Sequence, residues 1–297
     1  MTRVENSTLL KWLGAVCLIA AGVLLFSGSS QDWHVTEDGF LQYSPSTPKY
    51  ELGLPFVANN STLYEVRFAS RDAQIAALLR IPNAQSAVPG IVLLPGATVT
   101  KEREQGLAKY LSSLGYASIT LDQRNLGAIN MQSDLQMFLK GNEPTEHKMV
   151  HDALVAAEIL RRTPGIDPER IIYAGESNGG RFAIIASALD TRNRGIMAIS
   201  TCGYGVDASI ASGTLTEKDA IRFYRSIDPD TYLGMIPPRP LVMIHSRNDT
   251  IIAYQLAEQT FAKAFVPKAL HAVNCARHGY CPEMNEYLEK ELRKMVL

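Results

Sequence analysis

Gly175-Glu176-Ser177-Asn178-Gly179-Gly180 sets a serine among glycines, after the apolar run Ile171-Ile172-Tyr173-Ala174 and before Arg181-Phe182-Ala183-Ile184. Read as strand, sharp turn and helix, this is the G-x-S-x-G arrangement. It stands a serine hydroxyl on a strained turn at the positive end of a helix. The glycines let strand and helix approach without side-chain clashes. The chemistry open to such a serine is attack on an acyl carbon. A free hydroxyl is a weak nucleophile, so it needs a base. The rival reading of these residues is a glycine-rich turn with a capping serine.

An acid and a base follow in chain order. Asp249 closes Ser246-Arg247-Asn248-Asp249, after the run Leu241-Val242-Met243-Ile244-His245. His278 lies in Ala276-Arg277-His278-Gly279-Tyr280, after Leu270-His271-Ala272-Val273. Both sit on loops beyond strand ends, where open α/β sheets carry their sites. Asp249 alternatively caps the helix that follows, and Asp122, also past a strand end, is the runner-up acid. His271 reads as a packed strand residue, and His245 as a supporting group at most. His147 and His151 share a helix face at a spacing that suits a metal, but further ligands are lacking, so a core or solvated helix face explains them better. No metal or organic cofactor is expected. Charge developing on the carbonyl oxygen needs two backbone N–H donors. Asn178 is expected to supply one and the loop Pro95-Gly96-Ala97-Thr98 the other, with Ala97 first and Thr98 next.

The elements that must hold these residues are legible as alternating runs. Residues 63–68 and 75–81 read as a hairpin around Ser70-Arg71-Asp72. The continuous apolar run at 90–95 reads as a strand buried on both faces. Strands at 117–121, 170–174, 195–200, 240–245 and 269–273 then alternate with helices at 101–114, 147–162, 178–189, 254–264 and 283–295. An antiparallel opening followed by β-α alternation predicts an α/β fold with a doubly wound, mostly parallel sheet. Insertions at 124–146 and 206–239 break the rhythm and are candidate lids. Arg222 and Arg225, with Tyr224, either meet an anionic substrate or form a solvated helix face.

The chain has 297 residues and a formal net charge of −1, with 46% hydrophobic and 20% charged residues. No basic excess points to nucleic acid. Leu9–Phe26 is apolar apart from Lys11, and no Lys or Arg follows until Lys49. Residues 1–29 therefore read as a signal-anchor that leaves the catalytic domain outside the cytoplasm as a single-pass membrane protein, with a cleaved signal and a secreted domain as the alternative. Residues 30–60, polar and Ser/Pro-rich, read as a linker, and 61–297 as the catalytic domain. Cys275 and Cys281 bracket His278; they are either a disulfide pinning its loop or two unrelated small hydrophobes.

Five pieces in order, Leu93-Leu94-Pro95-Gly96-Ala97, Leu121–Gly127, Gly175–Gly180, Ser246–Asp249 and Arg277–Cys281, carry a resemblance. The chain resembles the α/β-hydrolase superfamily, closest to its dienelactone-hydrolase-like and prolyl-oligopeptidase-like branch, from about residue 62 to the end. Pro95-Gly96 stands where the family usually has His-Gly, and Asn125 replaces a glycine of its D-x-R-G-x-G stretch. Ser177 stands where dienelactone hydrolases carry cysteine. The resemblance implies a serine hydrolase that cleaves carboxylic esters through an acyl-enzyme on Ser177. A small serine peptidase acting on a peptide substrate is the alternative. A non-catalytic, membrane-anchored binding protein on the same fold is the reading from another class.

Overall fold

The computed structural model of this protein describes residues 32–44 and 47–297. The expected signal-anchor at 1–29 lies outside the described residues. Among the described residues, no helix is long and apolar enough to cross a membrane.

The stretch read as a linker, 30–60, is partly folded. β1 (Trp33–Val35) and β2 (Leu41–Tyr43) form an antiparallel ribbon, while β3 (Tyr50–Leu52) and β4 (Phe56–Ala58) both pair with β5 (Ser61–Ser70). Trp33, Val35 and Leu41 are buried, and the Leu41 N–H donates to the Tyr232 hydroxyl at 2.9 Å. Local composition signalled a linker because each of these strands is only three residues long and the stretch around them is polar and Ser/Pro-rich. β5 turns into β6 (Ala73–Pro82) through Arg71-Asp72, with Ser70 opposite Ala73 and Arg71 at φ 50°. That positive φ suits the tight hairpin turn the sequence predicted.

The remaining strands are β7 (Val88–Leu94), β8 (Ala117–Leu121), β9 (Ile166–Glu176), β10 (Ile196–Ile199), β11 (Leu241–Ser246) and β12 (Lys268–Val273). All strands but the β1–β2 ribbon join one ten-stranded sheet. From one edge its order is β12-β11-β10-β9-β7-β8-β6-β5-β3, with β4 also on β5. It is parallel from β12 to β8 and antiparallel beyond. Every residue of β7, β8 and β11 is buried, as strands covered by helices on both faces must be; β7 is apolar throughout, while β8 buries Ser118 and Thr120 and β11 ends on His245 and Ser246. Alternation splits β7 between two cores. Val92 and Leu94 pack with α3 (Thr145–Arg162) and α4 (Asn178–Leu189). Ile91 and Leu93 pack with α1 (Gln105–Ser113) and α8 (Asn285–Val296). α7 (Tyr254–Lys263) adds Ala257 to the first core. This is the α/β architecture expected: a mostly parallel, doubly wound sheet with an antiparallel N-terminal part.

The two insertions pack on each other. α2 (Met131–Leu139) contacts α6 (Lys218–Ile227), Phe138 lies against Phe223 with ring centroids 5.7 Å apart, and α5 (Val206–Ala211) also packs on α6. Arg222 fastens this unit to the ribbon, donating to Val35 O at 2.9 Å and pairing with Asp219 at 3.0 Å. Arg225 pairs with Asp207 at 3.1 Å. Of the two roles open to these arginines, the structure gives them intramolecular contacts on a helix face.

Candidate active site

β7 continues into α1 and β8 on one side, and its other neighbour is β9, so the strand order reverses at β7/β9. Open α/β sheets leave a crevice at such a reversal, beyond the carboxyl ends of the strands. The loops after β7, β9, β11 and β12 carry Gly96-Ala97, Ser177, Asp249 and His278 respectively, all at this end.

Ser177 joins β9 to α4 with φ 51° and ψ −120°, outside the regions an L-residue prefers. Such strain costs about 1–3 kcal/mol and persists only where the surroundings fix it. They do so here. The Ser177 N–H donates to Ile199 O at 2.9 Å, and the Thr201 hydroxyl donates to Ser177 O at 2.7 Å. The flanking glycines are sterically required: a Cβ at Gly175 would collide with the backbone of Gly179, and one at Gly179 with the carbonyls of Leu94 and Pro95. A Cβ at Gly96 would sit 3.4 Å from the Ser177 Cβ, so the loop after β7 lies directly against the serine.

Asp249 and His278 meet. His278 Nδ1 lies 2.8 Å from Asp249 Oδ2, with the Asp249 side chain wholly buried and His278 22% exposed. Asp249 Oδ1 accepts the N–H groups of Ile251 and Ile252 at 2.9 and 3.0 Å. Burial acts to raise the Asp249 pKa. The donors Ile252 N–H, His278 and Ile251 N–H outweigh it and hold the carboxyl below its ordinary range. His245, on the strand before Asp249, places Nε2 2.8 Å from Ile252 O and 3.3 Å from Asp249 Oδ2. Burial lowers its pKa, which favours a neutral imidazole behind the carboxylate.

The expected donor loop is fixed from outside. The Gln123 side-chain amide donates to Pro95 O, and the Thr98 N–H donates to Leu126 O at 2.6 Å. Thr98 is thereby occupied, and of the two loop candidates Ala97 has its N–H without an acceptor among the described residues. Asn178 heads α4, and its side-chain Nδ2 donates to Gly127 O at 3.2 Å. The first turn of the 124–146 insertion therefore borders the site. Gln123 was inside a recognised motif, but nothing in its spacing foretold that it braces the loop after β7.

Other candidates lie elsewhere. Asp122 accepts the Lys101 backbone N–H at 2.9 Å and pairs with its Nζ at 2.5 Å, so it is not the acid beside His278. His147 and His151 are packed in the core against Ser226 and Ser70 hydroxyls, at 2.6 and 2.8 Å. Burial pushes their pKa values down to about 3 and about 4. His271 stacks on Tyr287 with ring centroids 4.4 Å apart. A cleft of about 520 Å³ lined by Tyr43, His151, Arg161 and Arg192 shares no residue with this site.

Cys275 and Cys281 form a disulfide that closes the loop carrying His278. Closing so short a loop stabilises the fold by about 2 kcal/mol in the chain-entropy account. The cysteines are also the sulfur members of a Cys275-Cys281-Glu283 cluster; joined to each other, they are not thiolates able to bind a metal.

Residues 47–232, more than half of the chain, match the family model described as acetyl xylan esterase (AXE1). The match includes Ser177 and the loop after β7, and it ends before Asp249 and His278. The chain is 22% identical over 221 residues to the Escherichia coli K12 protein YfhR, which is described as uncharacterized; the match covers 72% of each. Its fold is similar to acetyl xylan esterase 1 of Thermoanaerobacterium sp. JW/SL YS485, with a TM-score of 0.68 and 14% identity over 85% of this chain and 89% of that one. It is equally similar to an acetyl xylan esterase of Paenibacillus sp. R4, with a TM-score of 0.68 and 15% identity over 99% and 96%.

Proposed function

Because this chain belongs to the acetyl xylan esterase (AXE1) family, on the α/β-hydrolase fold, and is an ester-cleaving hydrolase, we propose that it cleaves short-chain carboxylic esters through an acyl-enzyme on Ser177. His278 takes the Ser177 proton as the hydroxyl attacks the ester carbon. Asp249 holds the imidazole in the tautomer with Nδ1–H and stabilises the imidazolium that forms. The Ala97 and Asn178 N–H groups receive the oxyanion. His278 then returns the proton to the leaving alcohol, and water, deprotonated by the same imidazole, releases the acid. The observation that carries this reading is the 2.8 Å Asp249–His278 contact, closed at the same sheet end as the strained Ser177 turn.

Acetyl esters are the substrate class to test first, with acetylated xylan the first natural candidate. A panel of p-nitrophenyl acetate, butyrate and octanoate beside an aminoacyl p-nitroanilide decides the class. Acetate is expected to exceed octanoate in kcat/KM by about tenfold or more, a size discrimination that an apolar pocket supplies. A preference for the anilide would make the protein a peptidase instead.

The proposed location is an extracytoplasmic domain held by the N-terminal segment. A disulfide beside the site supports it, since such bonds persist in oxidising compartments. Maleimide added to denatured cell extract is expected to leave Cys275 and Cys281 unlabelled until a reductant is added. Labelling of both without reductant would place the domain in the cytoplasm.

A further inference from the structure

We propose that Glu104 and Glu176 form a proton-sharing acid pair that holds the His278 turn against the nucleophile turn. The inference rests on the triad proposed above, and it assigns both glutamates a positioning role.

Glu176 stands between Gly175 and Ser177 at the end of β9, and its side chain runs beneath the histidine loop. A Cβ at Gly279 would collide with Glu176 Oε2, and Gly279 has φ 86°, so only glycine fits this approach easily. The backbone N–H of the next residue, Tyr280, faces the Glu176 carboxylate and favours its charged form. The turn that carries His278 is thus tied to the residue beside Ser177, as well as being closed by the Cys275–Cys281 bond.

Glu104 meets the pair from the other side. It precedes α1, is 4% exposed, and its carboxyl faces that of Glu176. Its Oε1 is buried without a hydrogen-bond partner among the described residues. Two carboxylates cannot stand together in this way, because like charges repel and burial removes the water that would screen them. One shared proton resolves the arrangement: the Glu104 O–H donates to the Glu176 carboxylate, which keeps its other lone pairs for Tyr280 N–H. Burial first, and then the Glu176 charge, push the Glu104 pKa well above its ordinary value. The other charged or titratable groups facing Glu176 come from the histidine loop: His278, the exposed Arg277, and Tyr280, whose hydroxyl is fixed on Asn285 at 2.7 Å. On the segment leading to Glu104, Lys101 pairs with Asp122 at 2.5 Å and Glu102 at 2.7 Å.

Loss of the shared proton puts two negative charges side by side. The carboxyls must then separate, and Glu176 gives up its hold on the His278 turn. Activity falls as pH rises through the folded value of the pair, because the base is no longer held in place. Stability follows the same proton. With a raised folded pKa, the contribution of Glu104 is complete below its unfolded value near 4.5 and is lost as pH rises through the folded value.

The test is the rate of Ser177 labelling by a fluorophosphonate probe, and the unfolding midpoint, both followed from acid to alkaline pH in the full chain. Wild type is expected to lose labelling rate and midpoint together at alkaline pH. Glu104→Gln presents an amide N–H that cannot ionise, so the alkaline fall in both disappears. Glu176→Gln loses the charge that grips Tyr280 N–H and Glu104, and labels about tenfold more slowly, short of the hundredfold that a 1 Å misplacement costs. The proposal is overturned if wild type shows no alkaline fall, or if Glu104→Gln keeps it. It is equally overturned if Glu104→Gln flattens the midpoint alone, since the pair is then structural only. Should Glu104→Gln not fold, wild-type labelling by Glu176→Gln at every pH overturns it. A wild-type chain that never labels sinks the triad instead, whatever the pair does.

Discussion

Ser177→Ala is expected to lower kcat for p-nitrophenyl acetate by about a millionfold, the loss that follows removal of a triad nucleophile. The variant keeps the Ala97 and Asn178 N–H groups proposed to receive the oxyanion, so hydrolysis above the water rate is expected to persist. The variant should fold as the parent does. Both hydrogen bonds that hold the turn, Ser177 N–H to Ile199 O and Thr201 hydroxyl to Ser177 O, use the backbone. Alanine keeps the Cβ and therefore the same strain at φ 51°. The unfolding midpoint should move by no more than about 0.5 kcal/mol equivalent. Activity equal to wild type in a variant with an unchanged midpoint would remove Ser177 from the chemistry.

What the sequence made legible was whatever leaves a periodic or local mark. The buried strand β7 and the first four residues of β11 are continuous apolar runs, and a run of that kind has few other uses. Ser177 and Asp249 lie just past such runs and His278 past the half-buried β12, so the loops that carry them could be named in advance. The pairing of Asp249 with His278, 29 positions apart, is a fact of three dimensions that order along the chain only hinted at. The short strands at 33–58 were missed because pairing with β5, and with each other, overrides a composition typical of a linker. Gln123 and Glu176 were missed for a related reason. Each acts on a backbone group of a distant loop, and backbone groups carry no residue type for a motif to match. Glu104 meets the side chain of Glu176, 72 positions along the chain, a contact no local pattern marks. Glu176 occupied the variable position of G-x-S-x-G, where any side chain satisfies the pattern.

Asp249→Asn separates orientation from nucleophilicity. Its carboxylate is enclosed: Oδ1 receives two backbone N–H groups, and Oδ2 faces His278 Nδ1 at 2.8 Å and His245 Nε2 at 3.3 Å. An amide offers one oxygen for these donors. If its NH2 faces Ile251 and Ile252, three N–H groups collide; if it faces His278, it donates to Nδ1 and forces the proton onto Nε2. The second arrangement retains the two backbone bonds and is the one expected. An imidazole protonated at Nε2 cannot accept the Ser177 proton, and kcat should fall about 10⁴-fold with little change in KM. The pH dependence of stability supplies an independent check. Since the Asp249 pKa is held below its ordinary value, its contribution is full above the unfolded value near 3.8 and is lost as pH falls through the folded value. Wild type should therefore lose part of its stability in acid, and the asparagine variant, with no proton to bind there, should lose less. Wild-type kcat in Asp249→Asn would break the link between this carboxylate and the base, and would return the choice of acid to the remaining carboxylates at this end of the sheet.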